Sequence, residues 1–185
     1  MPLNTIPLPF GLRDVKLTPY TDATATVLAG SSVDLPNSRT LSFAESEEFE
    51  ELRGDDRLVA THGAGPQVEW ELEGGGVSLE AVQVMYGGTI GTTGTTPNQI
   101  KTLRKKVTDV RPYFKIEGQV ISDSGGDLHA VIYRAKATDN LTGEFGDGQF
   151  FLTGASGTGL PCLIAGPTLD AVWDFVQNET AVAIA

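Results

Sequence analysis

The sequence predicts a mainly β fold: an antiparallel barrel or sandwich with one short flanking helix and an extended N-terminal arm. Three observations carry this expectation. VEWELE (68–73) alternates apolar and acidic residues with the period of a strand that has one face in a core. Glycines and prolines, 22 and 10 of the 185 residues, break the chain into short segments. Only one stretch, 78–86, switches to helical spacing.

Taken in order, residues 1–11 read as an extended arm, because Pro2, Pro7 and Pro9 disfavour helix. LRDVKLT (12–18) alternates weakly and reads as a strand, and 19–38 as a loop closed by Leu35-Pro36-Asn37. TLSFA (40–44) puts Leu41 and Phe43 on one face. The acidic stretch ESEEFEELRGDD (45–56) either continues that strand or forms a short helix on Phe49 and Leu52 at i, i+3; the strand is favoured, because Gly54-Asp55-Asp56 is turn chemistry and RLVAT (57–61) follows at once. In VEWELE, Val68, Trp70 and Leu72 face one way and Glu69, Glu71 and Glu73 the other. Ser78 is an N-cap for a helix over 78–86, with Glu80 in its first turn and Gly87-Gly88 ending it. GGTIGTTGTTPN (87–98) reads as a Gly/Thr linker. Strands are expected at 100–108, 113–122, 128–137 and 148–153. Residues 154–167 are Gly/Pro-rich, 169–177 fits either period, and TAVAIA favours an extended terminus. Residues 12–185 thus form a single β domain carrying the linker within it.

The net charge of −11 is unevenly placed. Residues 45–80 hold eleven acids against Arg53 and Arg57, whereas 101–115 hold six cations against Asp109. The two segments either neighbour each other in one chain or meet between copies. A protein that binds nucleic acid on its surface is disfavoured, since phosphate binding needs a dominant basic face. No apolar run is long enough to cross a bilayer, and MPLNTIPLPFGLR does not read as a secretion signal.

No catalytic constellation emerges. His62 and His129 are the two histidines, each on or between expected strands. Cys162 lies in apolar LPCLIAGP and reads as an inert buried thiol. Gly154-Ala155-Ser156-Gly157 lacks the glycine at 158 that a nucleophile elbow needs. The glycine runs lack the lysine or the following helix of a phosphate cradle. One cysteine and two distant histidines do not suit zinc. Asp123, Asp127, Asp139, Asn140, Glu144 and Asp147 offer oxygen donors in turns, without EF-hand spacing. Neither a metal nor a cofactor is expected.

What remains is assembly. A sheet face that carries carboxylate after carboxylate repels itself unless the field is used or neutralised. Acidic and basic segments on different parts of one chain suit head-to-tail contacts, which close into rings when the rotation permits.

Residues 43–88, FAESEEFEELRGDDRLVATHGAGPQVEWELEGGGVSLEAVQVMYGG, resemble the signature region of major tail proteins of long, non-contractile-tailed bacteriophages, in style closest to those infecting actinobacteria. PFGLRDV and WDFVQNETAVAIA are similar to that family's start and end. Residues 87–100 and 154–170 look like variable insertions. The resemblance implies a tail-tube fold and a structural, non-enzymatic virion protein made in the bacterial cytoplasm. It implies hexameric rings stacked into a tube through which DNA passes without specific binding, and contacts with tape-measure, tail-terminator and distal-tail proteins. On this expectation Glu69, Glu71 and Glu73 face the lumen. Glu45, Glu47, Glu48, Phe49, Glu50, Glu51, Leu52, Arg53, Asp55, Asp56 and Arg57, with Lys101, Arg104, Lys105 and Lys106, make contacts between subunits or rings, the alternative for Glu45, Glu47, Glu48, Glu50 and Glu51 being the lumen wall. The alternative is a monomeric carbohydrate- or calcium-binding β-sandwich module, as a virion decoration or adhesin.

Overall fold

A computed structural model describes residues 6–63, 65–142, 146–148 and 150–184. The main sheet contains β1 (Pro9–Pro19), β2 (Val33–Asp34), β3 (Ser38–Ser46), β6 (Gln67–Gly75), β9 (Phe114–Ser122), β10 (Asp127–Ala137), β11 (Leu152–Leu160) and β12 (Trp173–Asn178). Its order is β2-β1-β9-β10-β11-β6-β3, with β12 pairing β10 off this path, and every pairing is antiparallel. Strand β10 is shared along one edge: Asp127–Ile132 pairs β12 and Arg134–Ala137 pairs β11. The described strands do not close a barrel, since β2 and β3 are the two ends of the order. Two smaller pairs stand apart, β4 (Phe49–Gly54) with β5 (Arg57–Gly63), and β7 (Thr89–Thr93) with β8 (Ile100–Arg104).

The sheet folds over so that its two halves face each other as a sandwich. Trp70 of β6 meets Phe114 of β9 edge-on, with centroids 5.6 Å apart. Leu41 of β3 lies so close to Gly118 of β9 that a Cβ there would sit 2.5 Å from Leu41 Cδ2. Val15, Leu17, Val68, Leu72, Ile116 and Ile132 fill the space between. Phe43, Trp173 and Phe175 form an aromatic cluster at the margin, with centroids 5.1–6.3 Å apart.

The helix, α1 (Leu79–Tyr86), forms where its period and caps specify it. Ser78 accepts a hydrogen bond from Ala81 N (3.2 Å), and Gly87 (φ 79°) donates to Gln83 O (2.8 Å) as the chain leaves. Ala81, Val82, Val84, Met85 and Tyr86 are buried in the common core.

Four expectations need correction. The arm is shorter than 1–11, because β1 begins at Pro9 and Leu8 is already hydrogen-bonded to the 122–124 turn (Leu8 N to Ser122 Oγ, 2.8 Å); residues 1–5 lie outside the described residues. The 87–98 stretch contains a strand: Thr89, Ile90, Thr92 and Thr93 are β-branched, and 89–93 pairs 100–104 in register. The strand expected at 100–108 ends at Arg104. The strand expected at 148–153 begins only at Leu152 and runs on to Leu160, into the stretch read as Gly/Pro-rich.

Two glycines of LTGASGTGL, Gly157 and Gly159, are demanded by close approach rather than by turns. A Cβ on Gly157 would sit 2.0 Å from Lys136 O, and one on Gly159 would sit 2.7 Å from Ile132 Cγ2. Gly157→Ala therefore pushes β11 off β10, and a loss of about 2–3 kcal/mol in chemical denaturation is expected.

Candidate assembly surfaces

The β6 carboxylates lie where alternation puts them. Val68, Trp70, Leu72 and Gly74 are buried, and Glu69 and Glu71 are exposed, with Glu73 half-buried. On either side the same face carries short residues. Thr40, Ser42 and Ala44 of β3 pair Glu73, Glu71 and Glu69, as do Gly154, Ser156 and Thr158 of β11. Glu69 and Glu71 therefore line a shallow trough of about 440 Å³, where Asp139 adds a third carboxylate. Arg39 pairs Glu73 at 2.7 Å; among the described residues, Glu69 and Glu71 have no ion-pair partner. Successive glutamates on one face are roughly 7 Å apart, so their repulsion in water is about 0.6 kcal/mol per pair. A single chain tolerates that cost.

Among the described residues of 38–75 the strands form one long hairpin, broken around 47–48 and 65–66. Its base is β3 with β6, and its outer part is β4 with β5. Asp55 (φ 50°) and Asp56 (φ 59°) make a two-residue turn in the left-handed conformation that such hairpins require. Every residue of β4, and of β5 as far as His62, is exposed. Glu50 and Glu51 stand opposite His62 and Thr61, Arg53 is bonded to Glu51 (2.8 Å), and Arg57 flanks the turn. Glu47 and Glu48 lie at the break. Phe49, Leu52, Leu58 and Val59 are each more than half exposed, an unusual apolar load on a charged arm. Glu45 differs from its neighbours. It shares the Phe43 face of β3, opposite the glutamate row, and accepts a hydrogen bond from Trp173 Nε1 at 2.5 Å.

The basic segment does not neighbour this hairpin as a paired strand, since β8 pairs β7. Lys101 makes its ion pair with Glu80 of α1, and Lys105 Nζ donates to Tyr86 O. The Lys106 backbone N donates to Asp109 (2.7 Å), and Arg104 and Lys106 are exposed. Arg111 donates to Ala137 O and Asp139 O and lies over the Tyr86 ring, a structural post.

A polar cluster that sequence reasoning missed lies on the face of β9 and β10 turned away from the sandwich core. Asp127, 1% exposed, accepts from Gln119 Nε2 (2.6 Å), Asn178 Nδ2 (2.9 Å), Val182 N (2.9 Å) and His129 Nε2 (3.0 Å). Burial alone raises its carboxyl pKa, but these four donors outweigh burial and bring it down to about 2. His129 Nδ1 lies 3.2 Å from Glu117, which is also paired with Lys115 at 2.7 Å. The C-terminal residues close over this cluster. Gln119 Nε2 donates to Val182 O, and Lys16 Nζ donates to Ile184 O, with Ile184 buried. With both ring nitrogens engaged, His129 has none left for a substrate. The role is structural.

Because the Asp127 pKa is depressed in the fold, its stabilisation is complete above about pH 4 and is lost as pH falls through about 2. Asp127→Ala orphans four donors and is expected to cost about 3 kcal/mol at neutral pH. It should also remove part of the acid dependence, both read by chemical denaturation across pH.

Other chemistry is no better supported. Cys162 is fully buried, with its Sγ 4.0 Å from Thr168 Oγ1. Ser156 sits on a strand and donates to Asp139 rather than crowning an elbow. Asp127 is saturated by its donors, and Glu144 lies outside the described residues. Among the described residues no group of three or more His, Cys, Asp or Glu is arranged to hold a metal ion, and no helix is long and apolar enough to cross a membrane. No family model matches the chain, and no curated protein matches it either.

Proposed function

We propose that this chain is a structural subunit that assembles with copies of itself into rings stacked as a tube, as the tail-tube resemblance implies, with the outer face of β6 turned to the bore. The observation that carries this reading is the row Glu69, Glu71 and Glu73 flanked on both sides by short side chains of β3 and β11. Apart from Arg39, which pairs Glu73, the β3 and β11 residues beside the row are short and leave Glu69 and Glu71 unscreened, so copies placed side by side present an anionic wall. Such a wall suits DNA in transit. Each phosphate neutralised by a cation releases counterions and gains affinity, so a basic bore would hold the polymer at every subunit. Carboxylates reverse the sign and leave water and salt in the gap.

The exposed hairpin supports assembly in a second way. A two-stranded ribbon alone in water is marginal, and this one carries Phe49, Leu52, Leu58 and Val59 unburied. A neighbouring subunit would bury them. The reading is tested by negative-stain microscopy of the concentrated, purified protein. Rings or tubes are expected, whereas a species that stays at 19.6 kDa favours the monomeric binding module.

A further inference from the structure

We infer that the hairpin β4–β5 of one copy docks into an apolar groove beside α1 and β8 of a second copy, in a head-to-tail contact directed along β6. This inference rests on the self-assembly reading above. The groove, about 400 Å³, is lined by Val77, Leu79, Val82, Leu103, Phe151 and Leu152, with Lys101 and Thr102 at its side. It lies at the Gly75 end of β6, where Leu152 pairs Gly75 and the chain turns into α1. The hairpin leaves from the opposite end, where Ser46 pairs Gln67. Eight residue steps of strand separate the two ends, about 26 Å. A chain whose projecting apolar arm and apolar recess sit at opposite ends of one strand fills the recess with another copy's arm.

Charge selects the same occupant. Residues 45–57 hold seven acids against two arginines, while Lys101, Arg104, Lys105 and Lys106 face only Glu80 and Asp109 in and beside β8. Among the described residues no ion pair joins these two segments within the chain. The contact is heterologous: hairpin and groove are different surfaces, so each copy gives one and receives one. Such a contact closes a ring when the rotation permits and otherwise propagates an open stack, and the placement of hairpin and groove at opposite ends of β6 favours the stack. The direction of propagation runs along the strand that carries the glutamate row, so stacking extends that row from copy to copy.

Two differently tagged single-cysteine variants, Val59→Cys on the hairpin and Thr102→Cys at the groove, test this when mixed and treated with a short bis-maleimide. Both positions are exposed, and the native Cys162 is fully buried. The expected product is a covalent heterodimer, with little product from either variant alone. Assemblies visible by microscopy without heterodimer overturn the docking while leaving the tube reading in place. Heterodimer without rings or tubes supports the docking and overturns the tube. Equal product from Val59→Cys alone means hairpin meets hairpin, and the inference fails. In a second arm, Arg104→Glu with Lys106→Glu raises the assembly threshold by about tenfold through like-charge contact, and added Glu48→Lys with Glu50→Lys restores it. If the paired swap assembles no better than the first, the charge argument is wrong.

Discussion

Replacing Glu69, Glu71 and Glu73 together by lysine leaves the subunit folded and assembling, but makes the assembled tube retain DNA. The three side chains leave the exposed face of β6, so the core beneath them, Val68, Trp70 and Leu72, is untouched. Glu73 loses its exposed pair with Arg39, a contact worth well under about 1 kcal/mol. The electrostatic change is far larger: each subunit moves by six charge units, which the proposed tube would repeat around every ring. Binding to the wall then acquires the steep salt dependence of phosphate contacts, with a slope of about −0.9 per phosphate neutralised. In particles carrying the triple variant, ejection is expected to slow at least about tenfold at low salt and to recover as salt rises. Normal ejection at low salt would remove these glutamates from the bore. Triple substitution by glutamine separates charge from shape, and its effect should be small.

Deleting 47–66 and joining Ser46 to Gln67 through an Asn-Gly turn abolishes assembly without unfolding the subunit. The geometry permits this graft because Ser46 and Gln67 already face each other across the base of the hairpin, and Asn-Gly favours the tight turn required. The deleted strands are exposed almost throughout, so their removal strips little buried surface. The denaturation midpoint of the shortened chain should stay near that of the full one. Its sedimentation should remain that of a monomer at concentrations where the full chain forms particles. A shortened chain that still forms tubes would show that the hairpin is not the contact.

Much of the scaffold was legible because it follows local periods. VEWELE gave both the strand and the face of each side chain, and Ser78 and Gly87 gave the helix ends. The acidic stretch was readable as a strand because Gly54-Asp55-Asp56 has turn chemistry, and its return partner follows at once. The misses have physical causes. Strand β11 is hidden because Gly154, Gly157 and Gly159 lower β propensity, and the need for Gly157 and Gly159 appears only when β10 lies alongside. The strand expected at 128–137 is present, but a register shift between Ile132 and Ala135 changes which of its residues face inward. His129 and Asp127 looked like an isolated histidine and a turn acid. Their shared network includes Asn178 and Val182, some fifty residues on, a proximity no local pattern encodes. The charge asymmetry was visible in sequence, whereas its placement at opposite ends of β6 was not.

A cryo-electron microscopic reconstruction of the assembled protein is the most direct trial of the central claim. The account predicts a hollow, ring-stacked object with Glu69 and Glu71 on the bore and a hairpin from each copy seated against α1 and β8 of another. A bore lined by Lys101, Arg104 and Lys106, or a chain that remains single at every concentration, would contradict it.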